Sequence, residues 1–325
     1  MKAILVAGGA GYIGAQTCKQ LAAAGFLPVT IDNLSTGYRQ AVKWGPLVEA
    51  DIRDRNAIAS TVAQYDIRAA MHFAACSLVG ESVQNPVKYY DNNIGAAVSF
   101  ASGLIESGVK SLIFSSTAAV YGIPKTDLIT EDHPTIPINP YGATKLAFEQ
   151  ALHWIARSSD LTFTVLRYFN ASGADLDGEI GESHDPETHL IPLLSKAAIG
   201  SGAPLSIFGS DYPTPDGTPI RDYIHVVDLA AAHIAALQRM LSGGSSSIFN
   251  VGTGVGASVA EVIRTAESIL AKEMPRRIGP RREGDPAVLV ADPSRILHSL
   301  DWAPRFSDLH TIILTAMWWQ KNRFY

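Results

Sequence analysis

Two cysteines, Cys18 and Cys76, are all that the chain has in 325 residues. They form no CxxC pair and no disulfide framework, which excludes a stapled secreted scaffold and points to a reducing compartment, the cytoplasm. Basic runs are missing too. The net charge is −5 and no block of like charge occurs, so a nucleic-acid partner is not expected. Long apolar runs are equally scarce. The opening Met1-Lys2-Ala3-Ile4-Leu5-Val6-Ala7 resembles a leader, but its apolar stretch dies at Gly8-Gly9. That is too short for a signal peptide or a membrane span, and it reads as a buried first strand. No internal repeat or low-complexity segment occurs. What is present is 47% apolar residues, enough for one large domain or two ordinary ones.

The first strand runs into Gly8-Gly9-Ala10-Gly11-Tyr12-Ile13-Gly14, which holds GxGxxG from Gly9 and GxxGxxG from Gly8. A helix follows, with Cys18, Leu21, Ala22 and Gly25 on one face. Glycines at this spacing permit a tight turn and let backbone N–H groups and a helix N-terminus approach a pyrophosphate. The next apolar run, Val29-Thr30-Ile31, ends at Asp32-Asn33. An acid there hydrogen-bonds an adenosine ribose and repels a 2′-phosphate, so the whole unit points to a dinucleotide, NAD rather than NADP. Apolar runs at 47–51, 70–74, 111–115 and 161–169 alternate with helical patterns at 56–64 and 94–106. The alternation predicts an α/β fold with a doubly wound parallel sheet, its ligands at the carboxyl ends of the strands. His72 lies inside one of these runs and is expected to be a satisfied core histidine.

Asn139-Pro140 precedes Tyr141-Gly142-Ala143-Thr144-Lys145, and good helix formers follow. Proline suits the first turn of a helix, so Tyr141 and Lys145 fall four apart on one helical face. An ammonium beside a phenol favours the phenolate, which would let Tyr141 act as a base well below the free phenol's pKa of about 10. Tyr121 and Lys125 repeat the spacing, but Pro124 argues against one continuous helix there. Ser115-Ser116-Thr117 closes a strand where a nicotinamide would lie, although hydroxyls at strand ends are often turn chemistry. Ala118 and Ala119 follow, so no carboxylate flanks these hydroxyls in sequence.

After Asn170 the texture changes. Residues 171–189 are polar and glycine-rich, a binding-loop pattern. His184, Glu187 and His189 resemble a metal cluster, but the spacing fits no zinc motif and Pro186 breaks any helix, so no metal is expected. Residues 1–170 read as the NAD-binding domain and 171–325 as a mainly substrate-binding α/β domain, with about 224–252 returning to the first. Phe208 suits either stacking on a flat ring or core packing. Arg221 and Arg282, each beside acids, suit either a phosphate or solvent. Gly252-Thr253-Gly254-Val255-Gly256 imitates a second nucleotide loop but lacks the GxxG ending, and Ser258 with Glu261 reads as a capping box. It is expected to be a structural turn.

In chain order, GGAGYIG, Asp32-Asn33, Asp51-Ile52, HFAA with VGES, YYDNN, FSSTAAVYG, NPYGATK, LRYFN, FGSDYPTPDGT, RDYIHVVDLA, NVGTG and RREGD resemble the extended short-chain dehydrogenase/reductases. Among these they resemble the UDP-glucose (UDP-galactose) 4-epimerases, over essentially the whole chain. The resemblance implies a Rossmann-type fold, NAD, and a UDP-sugar oxidised transiently at C4 to a 4-keto sugar. It implies Tyr141 as the catalytic base, Lys145 as its partner and Thr117 as the hydroxyl that bonds the sugar 4-OH. Gly8, Gly11, Tyr12, Ile13, Gly14, Asp32, Asn33, Asp51, Ile52, Phe73, Ala74, Ala75, Asn92, Tyr141, Lys145 and Phe169 match cofactor positions. Thr117, Tyr141, Asn170, His189, Leu190, Phe208, Arg221, Arg282 and Asp285 match UDP-sugar positions, with both arginines on the diphosphate. A homodimer through helices near 93–106 and 141–157 is implied as well.

Three residues depart from the pattern. Ser77 stands where many relatives have a lysine near the cofactor diphosphate, and His189 where asparagine is frequent. Leu289 occupies a position that gates N-acetylated sugars. A dehydratase or decarboxylase on the same fold would need acidic groups beside Thr117, which Ala118 and Ala119 do not supply. A UDP-arabinose/UDP-xylose epimerase and an N-acetylhexosamine epimerase stay open. So does a non-catalytic NAD-binding sensor or scaffold, which would be expected to have lost Tyr141, Lys145 or Thr117.

Overall fold

The computed structural model describes residues 1–200, 202–282 and 284–325. Its strands are β1 (Ala3–Ala7), β2 (Leu27–Asp32), β3 (Leu47–Glu49), β4 (Ile67–His72), β5 (Ser111–Thr117), β6 (Leu128–Ile129) and β7 (Thr162–Tyr168). They continue as β8 (Asn170–Ser172), β9 (Leu205–Phe208), β10 (Ile220–His225), β11 (Ser247–Val251), β12 (Gly256–Ser258), β13 (Arg276–Gly279) and β14 (Val288–Ala291). Among the described residues, seven of these form one parallel sheet in the order β11-β7-β5-β4-β1-β2-β3. Strand order reverses beside β1, which opens a crevice at the carboxyl ends of the strands.

Both faces of this sheet are covered, so its central strands are buried along most of their length rather than on alternate residues. All five residues of β1 are buried. Leu5 and Phe114 face one core, with Phe100 and Phe148 from helices Ala97–Glu106 and Pro140–Ser158. Ile4, Val6 and Ile113 face the other, under Leu229 and Leu237 of helix Val226–Leu241. β11 enters as an edge strand beside β7, although some 80 residues separate them in sequence. A second sheet runs β12-β10-β14-β6, with β8 also on β10, and β9 pairs with β13. The β10 pairings put Tyr223 opposite Asn170 and Arg221 opposite Leu289.

Local details refine the sequence expectations. The helical region before Glu106 starts earlier than its apolar periodicity suggests. Asn85 caps a short helix at Pro86–Tyr90, a π-helical turn spans Asp91–Ala96, and the α-helix proper is Ala97–Glu106. Gly25 lies past the end of helix Tyr12–Ala23, not within it, with φ of +81°. Tyr121 ends a single turn of 3-10 helix, Ala118–Tyr121, so it shares no helix with Lys125. The Gly252–Gly256 stretch is a structural turn: its Thr253 and Gly254 amides donate to the buried Asp222 carboxylate at 2.9 and 3.0 Å. Amides used in this way are not offered to a phosphate. The Ser258–Glu261 capping box that follows it is present.

Candidate active site

The loop after β1 is shaped by close approach. A Cβ on Gly14 would lie 2.1 Å from the Gly8 carbonyl oxygen, so any side chain there would force loop and helix apart. Helix Tyr12–Ala23 has Gly11 at its N-cap, no side-chain cap and no acid in its first turn. Its first amides and its positive dipole end are therefore free for an anion. Asp32 closes the same pocket. One of its oxygens accepts from the Ala10 amide at 3.0 Å, the other from Leu34 at 2.9 Å. Burial raises its carboxyl above the ordinary value, opposed by those two amides. Asn33 donates weakly to Asp51 at 3.4 Å, and Ile52 is buried beside them. Phe73 and Ala74 hang their amides on the Ala7 carbonyl, with Ala75 next in line. Asn92 leans on Asn93, which clamps both backbone groups of Cys76. A glycine cradle, an open helix end and a buried acid fit a dinucleotide diphosphate and ribose.

The residues matched to catalysis come together where β5 ends. Asn139 caps helix Pro140–Ser158 through the Gly142 amide at 2.8 Å, with Pro140 in the first turn. A Cβ on Gly142 would meet the Ala119 carbonyl oxygen at 2.4 Å; glycine thus lets this helix press against the turn after β5. Tyr141 and Thr117 are each 8% exposed, at the floor of the crevice. Lys145 is buried one turn on and donates to the Ser115 carbonyl at 2.8 Å. Its nitrogen sits 6.0 Å from the centre of the Tyr141 ring.

The electrostatics correct one expectation. Burial pushes the Tyr141 phenol up to about 12, with a hydrogen bond from Thr117 as the opposing influence. Burial also brings Lys145 down to about 7, against Glu149 and Cys76. Burial is the dominant influence at this depth, so the four-residue spacing to Lys145 does not by itself bring the phenol below its ordinary value. Adjacent to them, Tyr168 and Ser115 form a buried chain with His233. The His233 Nδ1 faces the Leu229 carbonyl at 2.9 Å and so carries the proton, leaving Nε2 to accept from Ser115 at 2.8 Å. His72 also departs from expectation. It is buried among Phe100, Phe114 and Phe148 as foreseen, yet its Nδ1 has no hydrogen-bond partner among the described residues. Burial, with Lys145 nearby, lowers it to about 3.

The residues matched to the sugar nucleotide gather beyond β10. Arg221 is 9% exposed and donates to Asp285 at 2.5 Å. The Arg282 guanidinium lies 4.2 Å from the Phe208 ring centre. Phe208 is 37% exposed, so core packing, one of its two readings, does not apply. His189 stands at the start of helix Leu190–Ala198 without a side-chain capping bond and pairs with the buried Glu182, which His184 also approaches at 3.1 Å. The Glu182 charge, first among the influences, lifts His189 to about 9. Burial works to raise Glu182, but the two histidines outweigh it and hold the carboxylate at about 2. Glu187 completes a cluster of four metal-capable groups. Both imidazoles turn Nδ1 toward one carboxylate, but the His184 Nδ1 makes no hydrogen bond among the described residues. Leu289 packs against the cluster that holds Phe169 and Ala118, and pairs across the sheet with Arg221.

Sequence reasoning missed Glu182, Glu149 and Arg167. A signal existed for Glu149, which is four residues past Lys145 on the helical face of Tyr141.

The fold and crevice define a Rossmann-type enzyme of the NAD-dependent class. A family model described as the NAD dependent epimerase/dehydratase family matches residues 4–252, and the chain belongs to that family. A UDP-glucose 4-epimerase from Lacticaseibacillus casei is 47% identical over 98% of this chain and 97% of its own length. The structure of UDP-glucose 4-epimerase from Brucella ovis in complex with NAD superposes with a TM-score of 0.95 at 47% identity, covering 98% of both chains. The UDP-glucose-4-epimerase of Stenotrophomonas maltophila, with bound NAD and formylated UDP-arabinopyranose, gives 0.96 at 40% identity over 99% of this chain and 98% of that one.

Proposed function

We propose that the protein is an NAD-dependent isomerase that interconverts UDP-glucose and UDP-galactose through a 4-keto sugar. The observation that carries this reading is the convergence of Tyr141, Thr117 and Lys145 at the end of β5, with Ala118 and Ala119 beside Thr117. NAD, when bound, supplies the reversible hydride acceptor for C4 and a positive ring charge that favours the phenolate. Tyr141 takes the 4-OH proton, which Thr117 orients by hydrogen bonding. Lys145 holds the ribose side of the cofactor and favours the phenolate. Arg221 and Arg282 fork the diphosphate, while Phe208, Asn170, His189, Leu190 and Asp285 complete the nucleotide end. A firmly held UDP would leave the keto sugar free to turn its other face to the returning hydride, while Tyr141 gives the proton back to the C4 oxygen, so that the configuration at C4 is inverted. Elimination needs a general acid and base beside the sugar. The nearest carboxylate described on this helix, Glu149, is instead locked to Ser116 and Arg167.

The test is conversion of UDP-galactose by the purified protein without added NAD, with the nucleotide released on denaturation identified. Bound NAD without turnover of any UDP-sugar would favour the sensor reading. A second substrate reading, a UDP-pentose, is supported by the sugar in the Stenotrophomonas neighbour; the ratio of pentose to hexose turnover decides it. A homodimer is supported by Val98 and Trp154, exposed on the implied helices, with Val83, Val87 and Tyr90 exposed on the short helices just before the first of them, and sedimentation of the native protein checks it. Galactose metabolism and a cytoplasmic location follow as proposals from the substrate and the two free cysteines. Among the described residues no helix is long and apolar enough to cross a membrane.

A further inference from the structure

Helix Pro140–Ser158 presents Tyr141, Lys145 and Glu149 at intervals of four, so all three lie along one face. Glu149 has no part in the chemistry above, yet it is 2% exposed. Arg167 Nε stands 3.1 Å from each of its oxygens and Nη2 2.6 Å from Oε2, while the Ser116 hydroxyl donates to Oε1. Arg167 is held in turn by Tyr121 at 3.0 Å and by the Glu131 carbonyl at 3.3 Å. Tyr121 then donates to Asn250 at 2.6 Å. The carboxylate is thus fixed from β5, β7 and β11.

A buried ion pair is a poor stabiliser compared with apolar packing of the same volume. Its placement next to Lys145 therefore calls for another cause. Lys145 meets the neutral Ser115 carbonyl and the Phe114 ring of β5. Tyr141 and Glu149 face it from its own helix, the Cys76 thiol from the loop after β4, and His72 from β4 itself. Tyr168 of β7 faces Tyr141 rather than Lys145. Among these groups Glu149 carries the full negative charge. Of the two influences that keep Lys145 from falling further than about 7, it is the larger.

We propose that Glu149 is a positioning residue acting through Lys145: its locked carboxylate keeps the ammonium charged in the crevice, and Ser116 with Arg167 fixes where that charge sits. This rests on Lys145 and Tyr141 having the roles given above. The experiment is the pH dependence of kcat and kcat/KM for UDP-galactose in Glu149→Gln, Glu149→Asp and the charge-neutral pair Glu149→Gln/Arg167→Met. The alkaline limb, which reports loss of the Lys145 proton, is expected to move down by about one pH unit in Glu149→Gln. It should move equally in the double variant, where no stray buried cation remains, and stay in place in Glu149→Asp. If Glu149→Gln fails to fold, the double variant and Glu149→Asp carry the measurement. Limbs that superimpose on wild type, with amplitude alone reduced, would show a purely structural role and overturn the proposal. A limb that returns to its place in the double variant would assign the shift to Arg167 and overturn it too. Lys145→Met separates the two readings: near-normal turnover there removes the catalytic assignment itself, whatever Glu149 does.

Discussion

The two ends of the crevice are built from different materials. The cofactor end is mainly backbone: glycines, open amides and one acid whose hydrogen bonds reach main chain. The end proposed for the sugar nucleotide is side chain on side chain, with Arg221 on Asp285, Arg282 on Phe208 and His189 on Glu182. Backbone recognition tolerates no added atom but needs no particular side chain. Side-chain recognition is graded, because each arginine or histidine already has a partner with which the ligand must share it.

The largest break is expected at the backbone end. Gly14→Val places methyl groups where a Cβ alone would already lie 2.1 Å from a carbonyl oxygen, so retained NAD should fall to trace levels, read as nucleotide released on denaturation. Tyr141→Phe belongs to neither end. It should leave NAD content intact and lower turnover of UDP-galactose by about 10²–10⁴. At the side-chain end, Arg221→Met should raise KM about tenfold to a hundredfold with little change in kcat, as expected for one charge-assisted bond. A fall in kcat with KM unchanged would place Arg221 in the transition state and undo the comparison.

The smallest effect is a pH dependence. His189 stands at about 9 against an ordinary 6.5, so its pairing stabilises the fold fully below about 6.5 and is lost as pH rises through about 9. Glu182, at about 2 against 4.5, keeps its contribution above about 4.5 and loses it as pH falls through about 2. These are two views of one interaction. His189→Gln should flatten the alkaline decline of the thermal midpoint by a small margin, since the imidazole is about half exposed. An unchanged decline would locate the alkaline loss elsewhere.

The same division explains what could be read from the sequence. GGAGYIG with Asp32, and NPYGATK, are local: a turn, a cap and a helical period place their residues without reference to distant chain. The first sheet followed from its apolar runs. Glu149, Arg167 and Ser116 were not legible because their meaning is a mutual contact across separate elements, and a buried glutamate looks in sequence like any helical surface acid. Glu182 was invisible for the same reason, hidden in a loop whose histidines drew attention first. β13 escaped because Arg276-Arg277-Ile278-Gly279 has no strand periodicity and is held by pairing with β9. The raised Tyr141 phenol reflects depth, which spacing along a helix does not encode.

The late arrival of β11 carries a consequence for synthesis. A ribosome that has delivered everything up to Tyr168 has made six of the seven strands of the parallel sheet, with β7 as an open edge. That edge closes once residues 247–251 emerge, and Asn250 brings the acceptor for Tyr121 with it. The support behind helix Pro140–Ser158 is therefore completed only after about three-quarters of the chain has been translated, and a nascent chain stalled before that point holds Tyr141 and Lys145 without their finished foundation.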